Sequence, residues 1–260
     1  PAMAELFSQK LPGWIKNPDK LAGASQIPSD DLWQARELSR KILREHVKQS
    51  TGVELQPDRL TIGFARRFAT YKRANLIFSD LERLRELGKG KIQFVFSGKA
   101  HPKDQGGKAL IKSIFESAKD LEEDIPVAFL EDYSMETGLV MTSGVDVWLN
   151  NPIRPMEASG TSGMKAAMNG VLNCSILDGW WPEGCEHGIN GWAIGESDDE
   201  RDDVRDTKNV HDVLENQVIP LWYENKEKWS QMMKSSIATS ARFTGARMIN
   251  DYRRFYDLFE

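Results

Sequence analysis

The sequence predicts an α/β protein with a Rossmann-like, doubly wound parallel sheet and a helical C-terminal tail. From Leu60 onward, short apolar runs alternate with longer segments that have the apolar period of a helix. Polar or aromatic side chains directly follow five of these apolar runs. With 260 residues, of which 40% are hydrophobic, the chain is long enough for one large domain of this class or two smaller ones.

We divide the chain into a lead-in segment with a helix (residues 1–58), a Rossmann-like core (59–196) and a helical tail of the same domain (197–260). The lead-in is rich in Pro, Gly and Lys, and Trp14 is expected to anchor it to a neighbouring surface. A helix then begins with the capping residues Ser29-Asp30-Asp31 and continues to about Lys48.

The core is expected to contain six strands separated by helices. The strands are predicted at residues 60–65, 92–97, 127–130, 145–149, 171–177 and 192–194, and the helices at residues 72–87, 105–120, 134–142 and 162–169. In the tail, helices are predicted at residues 211–218, 221–233, 236–241 and 244–259. The acidic run from Glu196 to Asp206 is expected to be a solvated loop.

The carboxyl ends of the predicted strands carry the informative residues. Right-handed crossovers place these ends at one edge of the sheet, where doubly wound folds bind their ligands. The residues that follow the first five strands are Arg66, Arg67 and Lys72; Gly98-Lys99; Glu131-Asp132-Tyr133; Asn150-Asn151; and Asp178-Gly179-Trp180-Trp181. The sequence therefore predicts a ligand site at this edge.

Composition excludes several classes of protein. The net charge of −5 argues against a nucleic-acid-binding protein. No apolar segment approaches the length of a membrane span, so no membrane partner is expected. Cys174 and Cys185 are the only cysteines and lack metal-ligand spacing, so we expect no metal site. Cys174 lies in an apolar run and is interpreted as a core thiol of a cytoplasmic protein.

The stretch from Glu157 to Lys165 is typical of a loop that enters a short helix, and we call residues 157–163 the anion loop. Backbone N–H groups and the positive end of the helix dipole meet at such an entrance, where Ser159, Thr161 and Ser162 add hydroxyl donors. Gly160 and Gly163 allow close approach to the backbone.

Lys165 follows one turn later and has three interpretations: a plain counter-ion or surface lysine, a ligand of a nucleotide phosphate, or an amine bonded to pyridoxal phosphate. The Walker pattern is absent, because Met164 separates Gly163 from Lys165 and Ala166 follows it.

Four cations lie within the eight residues from Arg66 to Arg73. A charged helix start on the solvent face is the plainer interpretation. Three facts favour a functional one: the position after an apolar strand, the mismatch between cations and a helix N-terminus, and the suitability of the Arg fork for gripping phosphate.

Trp180 and Trp181 follow the fifth predicted strand. Indole rings stack well on sugars, although burial is the commoner state of such large aromatic side chains. Both interpretations stay open at this point.

The motif E-A-S-G-T-x-x-M-K followed by N-G resembles the pyridoxal-phosphate lysine motif of the glycogen and α-glucan phosphorylases. G-F-A-R-R-F-A-T-Y-K-R and L-D-G-W-W-P-E-G are similar to the short bacterial and archaeal enzymes. The resemblance covers residues 55–195 strongly and the tail weakly. These enzymes are two-domain glycosyltransferases of the GT-B type, so the resemblance implies that the chain is the C-terminal, cofactor- and phosphate-binding domain.

The resemblance also implies roles for individual residues. Lys165 would carry the cofactor, pyridoxal 5'-phosphate, and Arg67 and Lys72 would hold the attacking phosphate, which makes these three the catalytic residues. The cofactor would further contact Thr161, Ser162, Gly163, Arg66, Tyr133 and Lys99, and the glucosyl hydroxyls would contact Glu157, Ser159 and Gly160. The chain departs from the family's E-N-Y motif at Asp132, which replaces Asn. It departs from the longer animal-type enzymes at Ser162 and Gly163, which stand where Gly and Asn are usual.

The activity implied by the resemblance is reversible phosphorolysis of an α-1,4-glucan to α-glucose 1-phosphate, in which the phosphate of the cofactor exchanges a proton with the substrate phosphate. The family enzyme has an N-terminal catalytic domain that nothing in this chain resembles. We therefore expect that domain as a partner, little activity for this chain alone, and a cytoplasmic location. The resemblance also allows a homodimer of the full-length enzyme.

Two other functions stay open from the sequence. One is a GT-B glycosyltransferase domain that uses a nucleotide sugar, with the helix end holding the diphosphate. The other is a non-catalytic domain that binds a glucan or a partner protein, for which replacement of Lys165 by Ala would leave every ligand interaction intact.

Overall fold

A computed structural model describes residues 2–196 and 201–256 of the chain. Its centre is a six-stranded sheet with the strand order β3-β2-β1-β4-β5-β6. The strands are β1 Leu60–Ala65, β2 Ile92–Ser97, β3 Val127–Leu130, β4 Val147–Asn150, β5 Leu172–Ile176 and β6 Gly191–Ile194. Every pairing is parallel. The order confirms the predicted doubly wound sheet and places its topological switch point between β1 and β4.

The helices follow the strands in the expected alternation. Those before and within the core are α1 Ala2–Lys10, α2 Ser29–Thr51, α3 Leu81–Gly88, α4 Gln105–Asp120, α5 Met135–Gly144, α6 Thr161–Met168 and α7 Trp181–Gly184. Those of the tail are α8 Asp203–Val213, α9 Ile219–Glu224, α10 Lys226–Ser240 and α11 Gly245–Tyr256. A π-helical turn, Leu214–Val218, joins α8 to α9.

The strands β1 and β2 have the apolar pattern from which the sheet is predicted. Every residue of β1 and β2 is buried, because a parallel sheet with helices on both faces requires apolar side chains in an unbroken run. Phe96 packs against Phe64 and Phe94, with ring centroids 5.7 and 6.0 Å apart. This aromatic packing continues into the main core cluster beneath the sheet.

The lead-in segment has more structure than expected. Residues 2–10 form α1, and a 3₁₀ helix covers Pro18–Gln26. Met3, Leu6 and Phe7 of α1 are buried in the core. Trp14 packs edge-on against Phe7, with ring centroids 5.4 Å apart, so its anchoring surface belongs to the lead-in itself.

The predicted helix at residues 72–87 is wrong in its first half. Two 3₁₀ turns, Thr70–Lys72 and Leu76–Phe78, precede α3, which begins only at Leu81. Arg73 has a left-handed backbone with φ 46°, which no continuous helix accommodates.

The predicted solvated loop at residues 196–206 is also wrong in its second half. Asp202 caps α8 by accepting hydrogen bonds from the backbone N–H groups of Val204 and Arg205. Asp203 and Asp206 form ion pairs of 2.8 and 2.7 Å with Arg73. Residues 197–200 of this run lie outside the described ranges.

The tail is helical as predicted, with shifted boundaries. The boundary predicted between residues 233 and 236 lies earlier in the structure. The helix α9 ends at Glu224, and α10 runs without a break from Lys226 to Ser240. None of the described residues of α11 is buried. Residues 257–259 of the last predicted helix lie outside the described residues.

Further features of the described residues concern helix length, clusters of potential metal ligands and the two cysteines. Within the described residues, no helix has the length and hydropathy needed to span a bilayer, and no group of three His, Cys, Asp or Glu side chains could hold a metal ion. Cys174 is fully buried, as expected of a core thiol, and burial raises its pKa strongly. Burial also raises the pKa of the Cys185 thiol to about 12.

The buried His211 of α8 is expected to make the free energy of unfolding depend on pH. Its imidazole is fully buried, and Nε2 lies 2.9 Å from the carbonyl oxygen of Ile77. Nδ1 has no hydrogen-bond partner within the described part of the chain. Burial lowers the pKa of this histidine. Because the pKa of His211 is lower in the folded state than in the unfolded state, the neutral imidazole contributes fully to stability above about pH 6.5. That contribution is lost as the pH falls from there through the pKa of the folded state.

We expect the free energy of unfolding of the wild type to fall, below about pH 6.5, by up to about 1.4 kcal/mol per pH unit more steeply than that of the His211→Gln variant. Urea unfolding followed by circular dichroism over this range measures the difference. His101→Gln removes an exposed histidine and should keep the pH dependence of the wild type. Equal slopes for the wild type and His211→Gln would contradict the assignment.

Candidate active site

A cleft of about 1080 Å³ opens at the switch point of the sheet, next to the carboxyl ends of β1 and β4. It lies between the loop after β1, helix α5, the anion loop and helix α6. All but two of the predicted site residues line it: Arg66, Arg67, Lys72, Tyr133, Glu157, Ser159, Gly160, Thr161, Ser162 and Lys165. Lys99 and Gly163 do not line this cleft.

A buried ion cluster lies at the base of the cleft. Arg66 Nη1 lies 2.8 Å from Glu157 Oε2, and Lys72 Nζ contacts the same oxygen. The three side chains are 8–9% exposed. Burial lowers the pKa of the Arg66 guanidinium, and the neighbouring Glu157 carboxylate opposes that shift. Two cations share one carboxylate, so the cluster keeps a net positive charge.

Arg67 and Lys165 differ from this cluster in being exposed. Both side chains line the cleft. Neither the guanidinium of Arg67 nor the amine of Lys165 forms an ion pair or a hydrogen bond with any residue in the two described ranges. The cleft therefore presents a guanidinium and an amine that a ligand can reach without displacing a partner.

The loop after β5 positions the anion loop. Asp178 Oδ2 accepts a 2.8 Å hydrogen bond from the backbone N–H of Glu157, and the N–H of Trp180 donates to the carbonyl oxygen of Ser159 over 2.8 Å. Gly179 has φ 61°, and a Cβ there would lie 2.5 Å from the Ser159 carbonyl oxygen. The sequence placed Asp178 at the edge of the sheet but did not show that it fixes Glu157.

Helix α6 begins directly at the cleft. Its N-cap, Gly160, has a left-handed backbone with φ 79°, and no side chain among the described residues caps this end. Thr161 and Ser162 of the first turn line the cleft, and Lys165 follows one turn later. The N-terminal N–H groups and the dipole of this helix are suited to an anion.

Gly163 has a packing role. A Cβ at this position would lie 2.6 Å from Asn173 Oδ1 and 2.8 Å from Trp180 Nε1. Asn173 Nδ2 also donates a 3.1 Å hydrogen bond to the Gly163 carbonyl oxygen. The glycine lets α6 pack closely on β5 and Trp180, which sets the position of the residues that follow.

The structure places Lys99 outside the cleft and decides between the two interpretations left open for Trp180 and Trp181. Lys99 forms an exposed ion pair of 3.4 Å with Asp132, away from the cleft. Trp180 and Trp181 are buried, and Trp181 Nε1 donates to the carbonyl oxygen of Trp192 over 3.1 Å, so neither ring is available to stack on a sugar.

Arg73 joins the two loops that carry the ion cluster. Its guanidinium donates to the carbonyl oxygens of Asn151 and Pro152, over 3.0 and 2.8 Å, and Asn151 Nδ2 donates back to the Arg73 carbonyl oxygen over 2.6 Å. The backbone N–H of Ile153 also donates to the carbonyl oxygen of Tyr71 over 2.7 Å. Arg73 therefore holds the loop after β4 against the loop after β1.

The fold and the cleft define a Rossmann-like α/β protein that gathers cations and a helix N-terminus at the switch point of its sheet. The chain belongs to the carbohydrate phosphorylase family, whose model matches residues 1–187. This confirms the resemblance found in the sequence, and the family is of the GT-B type.

Several known proteins are similar to the chain over most of its length. It is 44% identical to a maltodextrin phosphorylase of Thermococcus litoralis, covering 90% of this chain and 31% of that protein. It is 45% identical to a glycogen phosphorylase of Aquifex aeolicus, covering 88% and 37%, and 37% identical to one of Mycobacterium tuberculosis, covering 94% and 33%. The chain thus spans about a third of the length of these relatives.

Proposed function

We propose that the chain is the cofactor-binding part of an α-1,4-glucan phosphorylase, which cleaves glycogen or maltodextrin reversibly with inorganic phosphate and yields α-glucose 1-phosphate. One observation carries the proposal: Lys165, Arg67, Lys72 and the first turn of α6 line the same cleft. The family and the names of its relatives agree with this reaction.

The residues present fit pyridoxal 5'-phosphate. The amine of Lys165 lines the cleft without an internal partner in the described ranges, as attachment of an aldehyde requires. Thr161 and Ser162, at the uncapped N-terminus of α6, would bind its phosphate, with Arg66 close by. Tyr133 and the apolar side chain of Leu139 would face its ring. When bound, the cofactor supplies a phosphate group that can give and take a proton.

The protein side chains would bind and orient the substrates. Arg67 and Lys72 would hold the attacking phosphate, and their charge would offset the repulsion between two phosphates in one cleft. Glu157, Ser159 and Gly160 would hydrogen-bond the hydroxyl groups of the terminal glucose. Holding both reactants in this geometry lowers the entropic part of the barrier.

The remaining part of the active site would come from the N-terminal domain of the whole enzyme. Helix α11 supports this part of the proposal, since its apolar side chains are half or more exposed: Met248, Ile249, Tyr252, Phe255 and Tyr256. We propose that the other domain covers this face and completes the cleft.

Reduction with borohydride in the presence of pyridoxal phosphate tests the proposal. We expect the cofactor to be fixed to Lys165, identified by mass spectrometry of the labelled peptide, and the Lys165→Arg variant to lose at least about 90% of the label. Lys99→Arg is the matched control, because Lys99 pairs with Asp132 and does not line the cleft, and it should keep the label.

Label spread over surface lysines, or kept in Lys165→Arg, would overturn the proposal. Full retention of every ligand interaction in Lys165→Ala would instead support a non-catalytic binding domain.

A further inference from the structure

Glu157 neutralises part of the positive charge on which the cleft depends. Arg66 and Lys72 both contact its Oε2 atom, in a cluster whose side chains are 8–9% exposed. The backbone N–H of Glu157 is fixed by Asp178 over 2.8 Å. The main chain is therefore held in place, while the carboxylate group can change partners by rotation of its own side chain.

We propose that Glu157 couples anion binding to sugar binding in this cleft. Its carboxylate and an incoming oxyanion compete for Arg66 and Lys72, and the carboxylate that the anion displaces becomes the acceptor for sugar hydroxyl groups. The identities of the two ligands, a phosphate and a glucosyl unit, rest on the proposed function.

Competition follows from charge. A carboxylate and a phosphate that share the same two cations would lie within a few ångströms of each other, and in a largely buried cluster their repulsion is poorly screened. Phosphate carries up to two negative charges and more acceptor atoms than a carboxylate, so it gains more from a guanidinium and an ammonium. The anion therefore binds by displacing Glu157, and that displacement weakens its apparent affinity.

Coupling follows from what the displaced carboxylate does next. Ser159 and Gly160 line the same cleft as Glu157. A sugar bound there would lie beside a carboxylate that no longer pairs with Arg66 and Lys72. Hydroxyl groups that donate to Glu157 stabilise the displaced arrangement. Because binding linkage is reciprocal, the sugar must then tighten the anion by the same factor by which the anion tightens the sugar.

Calorimetric titration of the chain with inorganic phosphate tests the proposal. Glu157→Gln removes the competing charge and should bind phosphate about tenfold more tightly than the wild type. Glu136→Gln is the matched control: Glu136 lines the same cleft but forms no ion pair with any described residue, so its gain should stay below about twofold. Saturating glucose should tighten phosphate severalfold in the wild type and leave Glu157→Gln unchanged.

Several outcomes would overturn the proposal: equal or weaker phosphate binding by Glu157→Gln, an equal gain in Glu136→Gln, or no effect of glucose on the wild type. If Glu157→Gln does not fold, Glu157→Asp is the second variant: its side chain is one methylene shorter, so its carboxylate should compete less well for the two cations and phosphate should again bind more tightly. Neither titration uses pyridoxal phosphate. Labelling of Lys165 with a failed titration therefore rejects only the coupling, whereas absence of that label rejects the proposed function.

Discussion

Replacing Arg36 by Met is expected to lower the free energy of unfolding by about 3–5 kcal/mol. Arg36 of α2 is 1% exposed, and its guanidinium donates to the carbonyl oxygens of Ser143, Val145 (2.5 Å) and Asn169 (3.5 Å). It also lies 3.6 Å from the carboxylate of Asp146. Burial lowers its pKa to about 10, and Asp146 opposes that shift, so the side chain stays charged at neutral pH.

Met fills a similar volume but donates no hydrogen bond. The variant would leave carbonyl oxygens unpaired at the ends of α5 and α6. Of the two arginines that pair with Asp146, only Arg40, 3.0 Å away, would remain. Because α5 and α6 both line the cleft, the variant should also loosen the helix that carries Lys165.

Urea unfolding followed by circular dichroism measures the loss. Arg44→Met is the matched control on the same helix, since Arg44 is partly exposed and pairs with Glu37 near the surface, and it should cost less than about 1 kcal/mol. Similar losses for the two variants would show that the buried network contributes no more than a surface pair.

The fold could be predicted because its signals are local. The strands are short, continuous apolar runs. This is the pattern that a parallel sheet with helices on both faces requires. The candidate site could be predicted for a related reason. Parallel strands end at the same edge, so the residues that follow β1 and β4 were expected near one another. The contact between Arg66 and Glu157, which are 91 residues apart, was not predicted, because the resemblance assigns the two residues to different ligands.

The errors come from contacts between distant parts of the chain. Arg73 was one of four clustered cations in the sequence, but its partners Asp203 and Asp206 lie 130 or more residues away and turn part of an acidic run into a helix start. Nothing in the spacing of either segment indicates this pair. The sequence also grouped Lys72 with Arg67, and both line the cleft, but it did not indicate the contact between Lys72 and Glu157.

Gly163 has a packing role that the sequence did not indicate. From the sequence, Gly163 is expected to allow close approach of a ligand, because it lies in a loop that suits an anion. In the structure its missing side chain makes room for Asn173 and Trp180 on the side of the sheet. Neighbouring elements determine which face of a short helix has no room for a side chain. The local composition of the helix does not show which elements pack against it.

Gly98→Ala is the second substitution expected to have a large effect, with a loss of at least about 3 kcal/mol in the free energy of unfolding. The pairing of β1 with β2 continues past both strands: the N–H of Arg66 donates to the Ser97 carbonyl oxygen over 3.1 Å, and the N–H of Phe68 donates to that of Lys99 over 3.0 Å. Gly98 lies inside this extension with φ 152°. A Cβ there would lie 2.0 Å from the carbonyl oxygen of Arg66, which is a backbone atom that cannot rotate away.

Relief of that contact requires the backbone at Arg66 to move, and Arg66 belongs to the ion cluster with Glu157 and Lys72. Gly98→Ala should therefore weaken phosphate binding as well as stability. Gly52→Ala separates the strain of a positive φ from the strain of a close contact. Gly52 also has positive φ, 76°, but open space around its Cβ position. The variant should therefore lower the free energy of unfolding by only about 1–2 kcal/mol and leave the phosphate affinity unchanged. Equal losses in the two variants would mean that backbone conformation alone, and not the close approach to Arg66, requires a glycine at residue 98.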